Sequence, residues 1–420
     1  MNKLNVLIDF GKGSFPIGSL YLSLSSGRYV FAYDKLFLSY GLEISPYKLP
    51  LSSDTVAAEL NSDLYDLHGV FADSLPDDWG KKVQDSEFQK IGRLEITALD
   101  RLAFVGKYGI GALRYEPAQD FKDGYEIVLL ADLRKTAQLV LAGHVEKVTD
   151  ALLHSGGAGG GARSKFLVDI DVQSPENIRY SQGLPEGNYF PAILKVPVRS
   201  IDVYQRIEYA YSQMASKAGI IVPDTFLLES GKRKSAYFAI KRFDITPDRK
   251  RLHTHTFAGL LGVNIREGSP DYTRFLRVTE ELTRDHRQVV EGFRRMVFNY
   301  LGANLDDHAK NISFAMNELG KWSLAPAYDL GYSTASNGLH SMAINGKRMN
   351  PTMDDFEQVA ESFDIKDWKQ IIEKIAKTLS EWPWYAEKAG VSDKFIKSIR
   401  ERIKEQCGRV SYRRNKSVRN

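Results

Sequence analysis

The chain has 420 residues, a formal net charge of +4, 43% hydrophobic and 26% charged residues, and a single cysteine, Cys407. These values exclude an intrachain disulfide framework and give no chain-wide basic footprint for nucleic acid, while leaving material for two or three compact units of roughly 150 residues each. No run approaches the ~18 consecutive apolar residues of a membrane helix, and Asp9 and Lys12 interrupt any signal-like core in MNKLNVLIDFGKG, so a cytoplasmic protein in a reducing compartment is expected.

Residues 1–50 read as short strands: VLIDF, GSLYLSL, RYVFAYD and FLSYG are β-branched or aromatic runs divided by Gly, Ser and Asp. From 54 to about 110 the pattern turns helical, broken at DSLPDDWG (73–80), and it ends in a Gly-rich turn and a strand at 112–115. A second helical stretch, about 130–153, stops at a glycine cluster, 156–161, interrupted only by Ala158. FLVDIDV (166–172) and AILKVP (192–197) follow as strands. The next helix has Asp202 as N-cap, Ile207, Ala210, Tyr211, Met214 and Ala218 at helical spacing, and Gly219 just past its end. TFLLES and AYFAIKRFD flank Gly231-Lys232 as a hairpin, and the remainder is mainly helical, at about 280–302, 354–362, 366–380 and 392–406, with ISFAMNELGKWSLAPAYDL as an irregular or β interruption. A β-rich half thus gives way to an α-rich half near residue 245.

The segment NLDDHAKN (304–311), followed by SLAPAYDL (323–330), carries the strongest chemistry. Phosphoryl transfer needs oxygen ligands for metal ions that bridge phosphates and a carboxylate that orients the attacking hydroxyl. Asp306 and Asn311 stand five residues apart, the separation of base and metal-binding Asn in a protein-kinase catalytic loop. Asp329 is placed as the second metal-binding carboxylate, and His308 and Lys310 as positive charge for the phosphates. Such residues are also ordinary in polar turns, and the spacing taken alone is a weak signal.

The glycine cluster runs into Ala162, Arg163, Ser164 and Lys165. Glycines let backbone N–H groups approach phosphate oxygens; yet no Gly-Lys-Ser/Thr closes this loop, G-x-G-x-x-G does not fit it, and a flexible linker is the plainer alternative. Lys195 interrupts the apolar run Ala-Ile-Leu-Lys-Val, a costly place for an unpartnered ammonium. It can pair with nucleotide phosphates, held by Glu208 on the following helix, or lie on an edge strand facing water. In FAIKRFD (238–244), the backbone around Lys241, Arg242 and Phe243 is a candidate hinge beside an adenine, or part of a plain hairpin.

Together these strings resemble the HipA family of bacterial toxin kinases across nearly the whole chain. The marks, in order, are FADSLPDDWG (71–80), DRLAFVGKYGIGALRYEP (100–117), GGARSK (160–165), ILKVP (193–197), EYAYSQMASKAGI (208–220), FAIKRFD (238–244), NLDDHAKNISF (304–314) and LAPAYDL (324–330). The resemblance implies an α+β, bilobal protein-kinase-like fold: a β-rich N-terminal subdomain at 1–120, a kinase N-lobe at 121–245 and a helical C-lobe at 246–420. It implies Asp306 as catalytic base and Asn311 and Asp329 as Mg²⁺ ligands. ATP would be contacted by Gly160, Gly161, Ala162, Arg163, Ser164, Lys165, Lys195, Lys241, Arg242, Phe243, His308, Ala309, Lys310, Asn311, Tyr328 and Asp329. The implied activity is serine/threonine phosphorylation, with aminoacyl-tRNA synthetases among the family's targets. The implied partner is a small helix-turn-helix antitoxin (HipB-like), through which alone DNA would be reached.

One departure concerns the loop serine at which many relatives silence themselves: that position is Ala158 here, with Ser155 and Ser164 offset. His253-x-His255 has the look of a metal pair but lacks a third ligand at sensible spacing. The basic tail RVSYRRNKSVRN reads as solvated, or as touching DNA beside an antitoxin, and Trp79 as a buried turn aromatic or a partner anchor. Two other functions stay open: a small-molecule kinase or AMP transferase on the same fold, and a catalytically silent co-repressor.

Overall fold

A computed structural model describes residues 1–76, 78–93, 95–118, 127–144, 164–181, 183–197, 203–231, 234–334 and 338–410. The glycine cluster, Ala158, Asp202, Lys232 and nearly all of the basic tail lie outside the described residues. The architecture is α+β, as expected, and the chain divides into two compact units. One comprises 1–209, 223–267 and 310–326; the other comprises 210–222, 268–309 and 327–420.

The first unit carries three antiparallel sheets. Strands β1 (Lys3–Asp9), β2 (Ser14–Leu22), β3 (Tyr29–Tyr33), β4 (Val56–Ala57) and β5 (Leu113–Glu116) form a five-stranded sheet in the order β4-β3-β2-β1-β5. Leu4, Val6 and Ile8 alternate with more exposed neighbours along β1, the period-2 pattern of a sheet with one buried face. FLSYG, expected as a strand, begins inside a short helix, Lys35–Ser39. The Asp34 carboxylate caps it by accepting the Leu36 and Phe37 N–H groups, and that local bond outweighs the β-propensity of a short apolar run.

Strands β6 (Ile127–Val128), β7 (Lys165–Asp171), β8 (Ile178–Tyr180), β9 (Tyr189–Lys195), β10 (Thr225–Ser230) and β11 (Ser235–Lys241) form the second sheet, in the order β10-β11-β9-β7-β8-β6. The β10–β11 hairpin is the one expected around Gly231. Strand β11 is buried on both faces from Ala236 to Ile240, which is why its sequence shows no clean alternation. Phe166, Val168 and Ile170 face a core shared with Trp79 and Val83 of helix Asp78–Lys90 and with Leu133 and Val140 of helix Leu130–Leu141. Trp79 therefore sits in the first turn of a helix rather than in a loop, fully buried. Between 54 and 68 the expected helical pattern resolves instead into the short strand β4, one 3₁₀ turn, Ser62–Leu64, and irregular chain.

The third sheet orders β12 (His253–Thr256), β13 (Ser313–Met316) and β14 (Trp322–Leu324). It realises the β interruption read between the helices of the second half.

The second unit is helical. Ala210, Tyr211, Met214 and Ala218, from the later part of helix Val203–Ala218, are buried as their spacing requires, and Gly219 (φ +93°) ends that helix. The single helix expected at 280–302 is two, Tyr272–Thr283 and His286–Leu301. Arg284 adopts a left-handed conformation and Asp285 caps the second helix through the Arg287 N–H, so the chain restarts where the apolar periodicity alone runs on. Helices Met353–Ser362, Trp368–Ser380 and Asp393–Arg409 match expectation, and a short helix, Trp382–Lys388, lies between the last two. Among the described residues no helix is long and apolar enough to cross a membrane.

Candidate active site

In the second unit, helix His286–Leu301 ends at Gly302, and Asn304, Asp306, Asp307 and His308 follow within one loop. The two adjacent aspartates occupy opposite environments. The Asp306 side chain is 68% exposed. That of Asp307 is buried and accepts from Tyr272 Oη (2.9 Å), the Ser341 N–H (2.7 Å) and the Met342 N–H (3.3 Å), with His340 Nδ1 at 3.1 Å. Burial and the Asp307 charge together hold the Tyr272 phenol well above its ordinary pKa, so it remains a donor. Asp307 thus pins the loop and leaves its neighbour facing outward.

A second set of bonds joins this loop to the segment after β14. Asn304 Nδ2 donates to Asn299 Oδ1 (3.1 Å) and to the Asp329 carbonyl (3.4 Å), and Asn299 Nδ2 donates to Tyr272 Oη (3.0 Å). Ser333 Oγ accepts the Asp306 N–H (2.8 Å) and donates to Asn304 Oδ1 (3.2 Å), and the backbones of Asn304 and Ser333 form a parallel bridge. The chain segments bearing Asp306 and Asp329 therefore meet in one corner. Asp329 itself has φ +51°, an uncommon left-handed conformation for a non-glycine residue, of the kind that concentrates at functional positions. His308 Nε2 lies 3.7 Å from Asp306 Oδ1, and the Ala309 N–H donates to Ser269 Oγ (3.3 Å). Tyr328 is half-buried beside Asp329.

The chain crosses into the first unit between Ala309 and Lys310, within a short 3₁₀ turn that ends at Asn311. Lys310 Nζ is fastened to Asp63, through both its carboxylate and its carbonyl, at 3.1 Å each. The Asp63 carboxylate is buried and also meets the Ile265 N–H (3.2 Å) and Arg266 Nε (3.4 Å).

Also in the first unit, Lys195 is not an edge lysine facing water. β9 lies between β11 and β7, Lys195 is 7% exposed, and its Nζ stands 2.5 Å from Glu208 Oε2. Across the ladder Lys195 pairs in register with Lys165, the buried first residue of β7. The Ser164 carbonyl accepts the Val196 N–H, so the residue that opens the chain after the glycine cluster is bonded to the strand end carrying Lys195. Gly160, Gly161, Ala162 and Arg163 lie outside the described residues. At the candidate hinge the Lys241 N–H donates to the Asp224 carbonyl and the Arg242 N–H to the Pro191 carbonyl. The Arg242 guanidinium is buried against Asp244 (2.9 and 2.7 Å), and Lys241 Nζ pairs with Asp224 (3.2 Å). Whatever the hinge offers a base, those two amides and the Arg242 side chain are already engaged.

Strings of the resemblance that lie outside the loop act as braces. In FADSLPDDWG, Asp73 accepts from the Thr256 N–H and Oγ1 (both 2.7 Å) and contacts His255 Nδ1 (2.6 Å), Ser74 Oγ accepts from Tyr115 Oη (2.7 Å), and Trp79 Nε1 donates to the Lys165 carbonyl (3.0 Å). His255 Nε2 lies 2.9 Å from Ser45 Oγ, which completes a Ser–His–Asp chain, but Ser45 is 1% exposed and no substrate reaches it. His253 Nε2 contacts the Ile44 carbonyl (2.8 Å). Among the described residues no three His, Cys, Asp or Glu side chains are grouped to hold a metal.

Asp307, Asn299, Asn304, Tyr272, His340 and Ser333 were not singled out from sequence. Asp307 lies inside the motif, and the only signal available was its doubled Asp-Asp; the others are polar residues on helices or loops whose partners are set by the fold.

The fold is thus an α+β one with a five-stranded sheet, a six-stranded sheet and a helical unit. Over 97% of both chains it is similar to HipA in a solved toxin–antitoxin complex of Shewanella oneidensis MR-1 containing HipA, HipB and operator DNA, with a TM-score of 0.68 at 14% identity. The HipA N-terminal domain model matches residues 12–116 and the HipA-like C-terminal domain model residues 157–382. The chain belongs to the HipA family. It is 29% identical over 246 residues to a Sinorhizobium fredii protein named "Putative kinase Y4dM", and 28% identical over 156 residues to a Haemophilus influenzae protein named "Putative kinase". These alignments span 53% and 34% of this chain, and 59% and 45% of the two relatives.

Proposed function

We propose that the protein is an ATP- and Mg²⁺-dependent kinase that phosphorylates a serine or threonine of a cytoplasmic protein, and that it is the toxin of a toxin–antitoxin pair. The observation that carries this reading is the corner where Ser333 accepts the Asp306 N–H, Asn304 donates to the Asp329 carbonyl, and the Asn304 and Ser333 side chains are bonded to each other. Asn311 and Asp329 offer the amide and carboxylate oxygens that Mg²⁺ takes, and the backbone of Asp329 is already held in an unusual conformation. Mg²⁺ would supply charge neutralisation for the transferring phosphoryl group. Asp306, exposed and supported by pinned Asp307, accepts the hydroxyl proton of the acceptor. Lys195, set by Glu208, orients the phosphates, and Ser164 and Lys165 continue the glycine loop beside it.

The partner reading is a small helix-turn-helix antitoxin of the HipB kind, with DNA reached through it. The family and the composition of the Shewanella complex support this. An aminoacyl-tRNA synthetase is the target class to try first, on family grounds.

The test is transfer of label from γ-tagged ATP by the purified chain to itself or to proteins of a lysate. Asp306→Asn and Asp329→Asn should each reduce transfer by about a hundredfold or more with folding intact. Folded wild-type protein that neither binds Mg-ATP nor labels any protein would end this reading, and label arriving from α-tagged ATP would make it a nucleotidyl transferase instead.

A further inference from the structure

We propose that the first unit holds a buried monovalent anion of the halide class between the guanidinium groups of Arg114 and Arg251, where the end of β1, the start of β5 and the connection from β11 to β12 meet. This site is separate from the candidate active site and does not depend on the kinase reading.

Arg114, Arg242 and Arg251 are buried together, at 4%, 3% and 4% exposure. Of the carboxylates near them, Asp244 is committed. It takes Arg242 through two bonds of 2.9 and 2.7 Å and the Gly111 N–H at 2.8 Å. Asp9 stands at the opening of the cluster, its side chain 21% exposed, with one oxygen accepting the Gly11 N–H at 2.7 Å. Its other oxygen lies 3.9 Å from Arg114 Nε and 3.8 Å from Arg251 Nε, within ion-pair range of both but beyond a hydrogen bond to either. At the margin Arg179 and Asp169 face one another at 3.3 Å and neutralise each other. Among the described residues four buried cations are thus set against three carboxylates, Asp9, Asp169 and Asp244, one fewer than the cations.

Hydrogen bonding shows the same deficit independently. Among the described residues, Arg114 Nη2 and Arg251 Nε and Nη1 are buried without an acceptor. Arg114 Nη1 uses the Gly111 and Leu113 carbonyls, so its guanidinium is fixed on one side and open on the other. A guanidinium has donors and no acceptor capacity, and burying one unpaired is strongly unfavourable. Water could accept these N–H groups but would leave the charge uncompensated. A single anion answers both, because it accepts from several donors and supplies one negative charge. Burial and mutual repulsion pull Arg114 down to about 9 and Arg251 down to about 10, the direction expected of crowded cations lacking a counterion.

The full chain, exchanged into gluconate at fixed ionic strength, would be titrated with chloride, bromide or phosphate while its melting temperature is followed. A saturable rise of several degrees with either halide is expected in the wild type and in Arg249→Gln, and its loss in Arg251→Gln. Crystals soaked in bromide should show an anomalous peak within hydrogen-bond reach of Arg114 and Arg251, and this decides the matter if Arg251→Gln does not fold. A melting temperature indifferent to halide, a bromide map without signal at the cluster, or a rise with phosphate alone would each overturn the proposal.

Discussion

Lys310 Nζ lies 3.1 Å from both the carboxylate and the carbonyl oxygen of Asp63, a residue 247 positions earlier in the chain. Asp63 belongs to a 3₁₀ turn of the first unit, and Lys310 immediately precedes Asn311, proposed as an Mg²⁺ ligand. Lys310, read from the sequence as positive charge for the phosphates, is tethered to Asp63. If the tether sets the loop, Asp63→Ala should lower the rate of phosphate transfer by about tenfold or more, since small misplacements of reacting groups cost up to ~10²-fold. The KM for ATP should move less than kcat. Equal changes in both, or none, would assign the pair to stability alone.

Asp306 and Asp307 should separate chemistry from architecture. Asp306→Asn alters an exposed side chain and should change stability by no more than about 0.5 kcal/mol while abolishing transfer. Asp307→Ala strands Tyr272, His340 and two backbone N–H groups and should cost about 2–4 kcal/mol. Urea denaturation of the two variants, alongside labelling, checks both halves.

The Lys195–Glu208 pair is buried on both sides, at 8% and 10% side-chain exposure. Removing either partner leaves a buried charge, and Glu208→Ala or Lys195→Met should each destabilise by about 3–5 kcal/mol. The double variant should recover part of that loss, with a coupling of about 1–3 kcal/mol in a double-mutant cycle. Additive losses would show that the two side chains do not interact.

His68 and His253 give the first unit a defined acid response. Burial lowers both to about 4 from an ordinary 6.5. A depressed folded value means the unfolded chain binds the proton first, so stability is fully present above about pH 6.5 and is lost as pH falls towards 4. Each unit of such a difference is worth about 1.4 kcal/mol, so the two residues together remove on the order of several kcal/mol across that window. His253→Gln should flatten the pH dependence of the urea midpoint between pH 6.5 and 4; an unchanged slope would refute the assignment.

Much of the fold was legible where a local signal was strong. The hairpin around Gly231, the helix ending at Gly219 and the three later helices follow from turn residues and apolar spacing that act within a few positions. FLSYG and the 280–302 stretch misled because one side-chain cap, at Asp34 and at Asp285, overrode an apolar pattern that looked continuous. β11 was hard to assign because a strand covered on both faces has no polar side to alternate with.

The sequence by itself determined which groups suited to phosphotransfer exist, and in what order: Lys195, Glu208, Asp306, Asn311 and Asp329. Those are properties of residue type and spacing, and they survive in a linear string. Only the tertiary structure decided that Asp306 faces solvent while Asp307 is locked away, that Lys310 is tethered by Asp63, and that Arg114 and Arg251 converge on Asp9 with donors to spare. Each of these depends on burial and on partners brought from distant positions, and a hydrogen bond or an uncompensated charge has no meaning until the chain has closed around it.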